Sequence, residues 1–240
     1  MNFSEKKAHP ELGFEVISLP GLCSFAAVFA LQEELLEKRI RDEIPDQIIF
    51  CEHRPVITRG RGLQRIPGRE IRQTPLARIP EGTEYLETNR GGDLTWHGPG
   101  QLVMYPVVKL GGEGAIGKVV GQDVNRYLRF LETVFIDLLK PFGIEANSKL
   151  DGSGVWIGPQ KIASVGIALR RWVSYHGIAL NVVNDLKPFQ AFDPCGFESN
   201  VMTSLNFDSK VPKLLLTRDW RAFWEELIVR SISTHLMSKS

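Results

Sequence analysis

Three short stretches carry side chains whose types and spacing suit chemistry. FDPCGF (Phe192 to Phe197) sets Cys195 between a proline and a glycine, a turn context that presents a side chain. A thiol attacks only as the thiolate, and with an ordinary pKa of about 8.5 only about a few per cent is ionised at neutral pH. It therefore needs a positive charge or a base beside it. No histidine is near Cys195 in sequence; Lys161 and His176, on the hairpin expected upstream, are the candidates in space. GPQKIASVG (Gly158 to Gly166) places Lys161 in an apolar strand. Such a lysine either sends its ammonium to solvent or sits partly buried with a depressed pKa. Taken singly, the first outcome is the commoner, since a fully buried lysine needs a partner.

The third stretch is RGGDLTWHGPGQ, Arg90 to Gln101, with four glycines that let a backbone approach a ligand closely. It contains neither GK[ST] nor GxGxxG, which disfavours the familiar phosphate cradles. Arg90, Thr95 and His97 supply donors on a wall otherwise made of glycine and Trp96. The same residues also describe a tight hairpin with a satisfied histidine. By residue type alone, Cys195 stays open between a small inert residue and a nucleophile. Cys23 and Cys51, in or beside apolar elements, read as inert.

Several elements must position these groups. Ser24 caps a helix expected over about residues 24–41, and DQIIFCEH reads as a strand. EYLET and QLVMYPVVKL read as strands on either side of the glycine-rich turn. DVNRYLRFLETVFIDLLKPFG has helical spacing and stops at Pro141 and Gly143. Residues 154–183 read as three strands, with turns near Gly158–Pro159 and Arg170–Arg171. TRDWRAFWEELIVRSISTHL is a closing amphipathic helix, capped by Thr217 or Asp219. Strands in runs with helices inserted between them predict an α+β fold with a largely antiparallel sheet.

Composition excludes several classes. Lys+Arg 29 against Asp+Glu 28 leaves a net charge of +1, so no global field points to nucleic acid or an acidic membrane. The N-terminal residues lack the apolar run of a signal peptide, and no run is long enough to span a bilayer. Three scattered cysteines and five histidines without HxH or HxxxH spacing argue against a disulfide framework or a metal site. The expectation is a single cytoplasmic domain over residues 1–240.

RGGDLTWHGPGQLVMYP, GVWIGPQKIASVGIALRRWVSYHGIALNV, PFQAFDPCGF and MTSL occur in the order and approximate spacing of the lipoyl(octanoyl) transferases. EHRPVITRGR and the helix with LQEELLEKR match more faintly, so the stretch of about 25–205 resembles that family. The resemblance implies the mixed, largely antiparallel sheet flanked by helices of the biotin and lipoate protein ligases. It implies transfer of an octanoyl group from octanoyl acyl carrier protein to a lysine on lipoyl domains of 2-oxo acid dehydrogenases or on the glycine-cleavage H protein. No cofactor, metal, nucleic acid or membrane is implied. Carried over, Cys195 is the acyl-thioester nucleophile and Lys161 lowers its pKa. Acyl contacts fall on Arg90, Gly91, Gly92, Asp93, Leu94, Thr95, Trp96 and His97, on Ser164, Val165 and Gly166, and on Gly177, Ile178 and Ala179.

Trp96 stands where the family usually carries tyrosine, and Met104 where smaller residues are common; both bear on the depth of the acyl tunnel. The loop over 62–84 departs from the family, and Arg59, Arg61, Arg65, Arg69 and Arg72 fall near it. They are either a docking surface for an acidic carrier or a solvated basic loop. Three rivals remain: an ATP-dependent lipoate or biotin ligase that does not need Cys195, a non-catalytic acyl-binding relative, and a hydrolase. The last lacks a GxSxG motif.

Overall fold

The computed structural model describes residues 6–62, 79–149, 152–192, 201–208, 210–217 and 219–238. Seven strands form one sheet: β1 (Lys6–His9), β2 (Phe14–Cys23), β3 (Asp46–His53), β7 (Gln101–Val107), β10 (Val173–Asn181), β9 (Gln160–Arg170) and β8 (Gly154–Ile157), in that spatial order. Only β2 and β3 pair in parallel; the other neighbours are antiparallel. A second sheet has the order β5 (Glu84–Glu87), β4 (Val56–Arg59), β6 (Leu94–His97). The fold is α+β with a mixed, largely antiparallel main sheet.

Alternation across that sheet sorts its residues into two layers. Ile48, Phe50, Leu102 and Met104 face a core shared with α3 (Val124–Leu139) and α4 (Trp220–Met237). Ile49, Cys51, Val103 and Tyr105 face α1 (Phe25–Ile40) on the other side. Both faces are covered, which is why β3 and β7 read as continuous apolar runs. Helix α1 starts where Ser24 Oγ accepts the Ala27 N–H at 3.2 Å. Asp123 does the same for α3, accepting from Arg126 N at 3.0 Å. That helix ends in a 3-10 turn at Lys140–Phe142 and a left-handed Gly143, φ 67°. A short helix, α2 (Ala115–Val120), lies before it.

The expected strands at 46–53, 84–87 and 101–107 are present, as are the three over 154–181. Strands β1, β2, β4 and β6 were not read from the sequence, and β6 lies inside the stretch expected to be a turn. Asp219 occupies the N-cap position of α4 but makes no side-chain capping bond. Among the described residues, no helix is long and apolar enough to cross a membrane.

Candidate functional site

The glycine-rich stretch places its residues through β6. That strand pairs with β4 in the register Thr58↔Thr95 and Ile57↔Trp96, so its side chains alternate. Thr95 and His97 face a cavity. Leu94 and Trp96 face the other way, into a cluster with Ile57, Phe189, Phe192 and Met202. The Trp96 and Phe189 rings meet edge to face at 5.6 Å. Trp96 is therefore not a lining residue, and neither is Met104, which packs under α3.

Arg90 closes the turn ahead of β6. Its guanidinium donates to Thr58 Oγ1 at 2.9 Å, to Thr58 O at 2.6 Å, to Asp93 O at 2.7 Å and to Gly91 O at 3.0 Å. Gly91 N–H donates to Ile167 O at 2.8 Å, tying this turn to β9. A Cβ on Gly166 would lie 2.9 Å from Gly91 O, so only glycine lets the turn sit on the strand. Gly91 and Asp93 thus act through their main chains, while the aliphatic part of Arg90 packs over Gly166.

The cavity lies between the two sheets and the first turn of α1, with about 440 Å³ of empty space including its mouth. Gly92, Thr95 and His97 form one wall; Ser164, Val165 and Gly166 another; Gly177, Ile178 and Ala179 a third. The structure brings these expected residues together. Phe25, Val103, Tyr105 and His176 also line it; the sequence reading missed the first three and named His176 only as a candidate partner for Cys195. The two-residue alternation of β7 was the available signal for Val103 and Tyr105. A wider open groove beside it takes Arg59, Arg61, Glu87 and Asn89 together with Phe25 and Phe29. Arg65, Arg69 and Arg72 lie outside the described residues.

Three buried imidazoles surround Phe25: His53, His97 and His176, with ring centroids 5.4, 6.3 and 6.5 Å away. His53 bridges Cys23 O at 3.3 Å through Nδ1 and the Tyr105 hydroxyl at 2.9 Å through Nε2. His176 adopts a left-handed φ of 57° and meets Asn89 Oδ1 at 2.7 Å. Asn89 in turn donates to the Tyr175 hydroxyl at 2.6 Å. His97 Nδ1 meets Gln101 Oε1 at 2.7 Å.

Burial lowers the pKa of all three. It brings His53 from 6.5 to about 4 against a small opposing effect of the Cys23 carbonyl. Burial, helped by the Arg90 charge, brings His176 to about 3. His97 lies well below 6.5, from burial first, then His53, with the Gln101 bond opposing and Arg90 and His176 adding to the shift.

The unfolded chain therefore protonates these rings at a pH where the native chain does not. Stability is complete above about pH 6.5 and falls as the pH drops towards 4. His53 and His176 are each expected to remove about 2 kcal/mol between pH 7 and pH 5, about 4 kcal/mol together. Urea unfolding at the two pH values measures this; equal midpoints would show that the rings are not held neutral.

Lys161 is 3 % exposed, so the solvent-directed position expected of a lone lysine in this strand is not adopted. Two features bury it. The β8–β9 register shifts between Val155 and Trp156, giving β9 an extra residue that breaks alternation at Lys161. Gly154, at φ 142°, leaves room for its stem: a Cβ there would stand 2.6 Å from Lys161 Cε. Gly154 N–H is held by the buried Glu132 carboxylate of α3 at 2.8 Å. The ammonium lies 5.5 Å from the Trp156 ring centroid. The Lys161 backbone is bridged on both sides: its N–H donates to Val201 O at 2.7 Å and its carbonyl accepts from Thr203 N at 2.9 Å. Cys195 lies outside the described residues, in the segment between Phe192 and Val201.

With this geometry in hand, comparison with known proteins is specific. The family model described as the lipoyl protein ligase A/B catalytic domain matches residues 24–211. An octanoyltransferase of Geobacter metallireducens is 41% identical over 186 residues, 78% of this chain and 79% of that protein. One from Rubrobacter xylanophilus is 39% identical over 206 residues, 85% of this chain and 86% of its own. Among solved structures, lipoate-protein ligase A bound with ATP aligns with a TM-score of 0.61 at 15% identity, covering 86% of this chain and 81% of that one. A bipartite lipoate protein ligase from Thermoplasma acidophilum, described with its E2 lipoyl domain, gives 0.59 at 15% identity, covering 92% and 82%. These two likenesses establish the fold, while the sequence matches reach further. On the family model and the relatives at 39–41% identity, the chain belongs to the octanoyltransferases, acyl-transferring enzymes of the lipoyl protein ligase A/B family.

Proposed function

We propose that this chain, as one catalytic domain working in the cytoplasm, moves an octanoyl group from octanoyl acyl carrier protein to a lysine of a lipoyl domain. Cys195 carries the acyl group as a thioester and Lys161 is its charge partner. The acceptors on this reading are the lipoyl domains of 2-oxo acid dehydrogenases and the glycine-cleavage H protein. The relatives named octanoyltransferase support the cargo, and the Thermoplasma acidophilum ligase described with its lipoyl domain supports the class of acceptor.

The observation that carries the mechanism is the burial of Lys161. A lysine taken out of water without purpose is costly, and this one sits on β9 three residues before the cavity wall at Ser164. Its backbone bridges to Val201 and Thr203 also clamp the chain that follows Cys195 to β9. An ammonium beside a thiol favours the thiolate. The thiolate attacks the carrier's thioester carbonyl, and the carrier sulfur leaves with a proton from Lys161. Exchange of one thioester for another is nearly isoenergetic and needs no ATP. The acceptor ammonium then returns a proton to Lys161, and the free amine attacks the enzyme thioester.

The apolar walls of the cavity suit the chain itself: burying six methylenes contributes about 5 kcal/mol, at about 0.8 kcal/mol each. The direct test mixes the protein with octanoyl carrier protein and measures intact mass. An added octanoyl group, located on Cys195 and released by hydroxylamine, is the expected result. An octanoylated acceptor formed without any acylated enzyme would overturn the thioester route.

A further inference from the structure

On the reading above, a full cycle leaves one proton without an owner. The acceptor arrives as an ammonium and departs as an amide N–H, so it gives up two protons. The first restores Lys161, which had protonated the departing carrier thiol, and Cys195 leaves the cycle as the thiolate it began as. The second proton comes off when the attacking nitrogen becomes an amide nitrogen. We propose that the bare Nε2 of His97 receives it.

The protonation state of His97 follows from a chain of hydrogen bonds anchored on main-chain carbonyls. Thr203 O only accepts, so Asn181 turns its Nδ2 towards it, at 2.9 Å. Asn181 Oδ1 then accepts from Gln101 Nε2 at 2.9 Å and from Asn184 Nδ2 at 3.1 Å. Gln101 Nε2 also donates to Trp96 O at 3.3 Å, a second carbonyl that fixes the same amide orientation. Gln101 Oε1 is therefore the atom facing His97 Nδ1, and an oxygen there requires that Nδ1 carry the hydrogen. A neutral imidazole then leaves Nε2 as a lone pair.

Three features suit that lone pair to the task. His97 is only 6 % exposed and lies on the cavity wall, and among the described residues its Nε2 has no hydrogen-bond partner. His53 and His176 do not offer the same: both ring nitrogens of His53 are engaged, and His176, held through Nε2 by Asn89, leaves free only an Nδ1 that is fully buried. The relay also begins at Thr203, whose N–H meets the Lys161 carbonyl, so it joins the main chain of the lysine to the ring.

In the step itself, the acceptor nitrogen bonds to the thioester carbonyl carbon. The C–S bond breaks with its electron pair going to the Cys195 sulfur, and the nitrogen's surplus proton passes to Nε2 and then to water. Buried beside His53, Arg90 and His176, the ring stays neutral at working pH and gives the proton up readily.

The test separates the two half-reactions. Octanoyl enzyme is formed first and followed by mass; a lipoyl domain is then added and single-turnover transfer is timed. His97→Ala is expected to slow transfer about 100-fold, with a loss in loading at least about ten times smaller, and added imidazole to restore part of the transfer rate. Gln101→Met, which frees the tautomer, is expected to slow transfer about 10-fold. Gln101→Glu, which still accepts from Nδ1–H, is expected to recover it, and this pair carries the test if His97→Ala does not fold. A wild-type enzyme that never carries an octanoyl group overturns the thioester reading and this proposal with it. A wild type that does carry one, with His97→Ala slowed equally in both steps or in neither, or with the two Gln101 variants alike, overturns the proposal alone.

Discussion

Cys195→Ala is expected to lower octanoyl transfer from carrier protein to lipoyl domain by at least about 10⁴-fold, leaving nothing above the uncatalysed exchange. On the proposed route the loss is large because the reaction is divided at the enzyme thioester. Without sulfur, the carrier thioester and the acceptor amine must meet directly, and no other group takes the acyl chain between them. Cys195→Ser is expected to fare little better, since a hydroxyl beside an ammonium is not ionised at neutral pH. Initial rates on a lipoyl domain, with thermal melting to check folding, measure both. The same variant distinguishes the ATP-dependent rival, in which an acyl adenylate replaces the thioester. Retention of more than about a tenth of the activity, or full activity on octanoate and ATP, would exclude the cysteine route.

Lys161→Met carries the second largest effect. The substitution keeps most of the volume of the buried stem beside Gly154 and removes only the charge and the proton. Loading from octanoyl carrier protein is expected to fall by about 10²–10³-fold. A readout that simple loosening would not move is the pH dependence of Cys195 alkylation. If the ammonium favours the thiolate as proposed, the wild-type midpoint is expected below about 8.5 and that of the variant nearer about 8.5. An unshifted midpoint would show that residue 161 is not the charge partner of the cysteine.

The fold was legible in the sequence wherever one periodicity dominated. Helices α1 and α3 announced themselves by apolar spacing, α1 also by its cap at Ser24 and α3 by the glycine after it. Strands β8 to β10 were legible from β-branched runs between tight turns. Strand β6 was not, because four residues between two glycine pairs are too few to show alternation, and it exists by pairing with β4. Edge strand β1, with its charged and exposed lysines, forms only because β2 is beside it.

At the site, residue type pointed to His97, Thr95 and Lys161, and resemblance supplied their context. The burial of Lys161 was not readable from its own surroundings. It depends on a bulge and on a glycine seven residues earlier, and neither has a local signature. Phe25, His53 and His176 come from three separate elements and meet only in space. The direction of Trp96 was lost for the same reason as β6: without the strand, there was no parity to assign it.

That parity in β7 has an engineering consequence. Val103 looks into the cavity proposed to hold the acyl chain, while Met104, its immediate neighbour, looks into the layer beneath α3. On the proposed function, alternate residues of one seven-residue strand, Gln101–Val107, thus serve the cavity and the layer beneath α3. On that proposal, Val103 and its facing partner Ala179 are the positions at which to alter the length of chain accepted. Met104, by contrast, packs only into the layer beneath the helices.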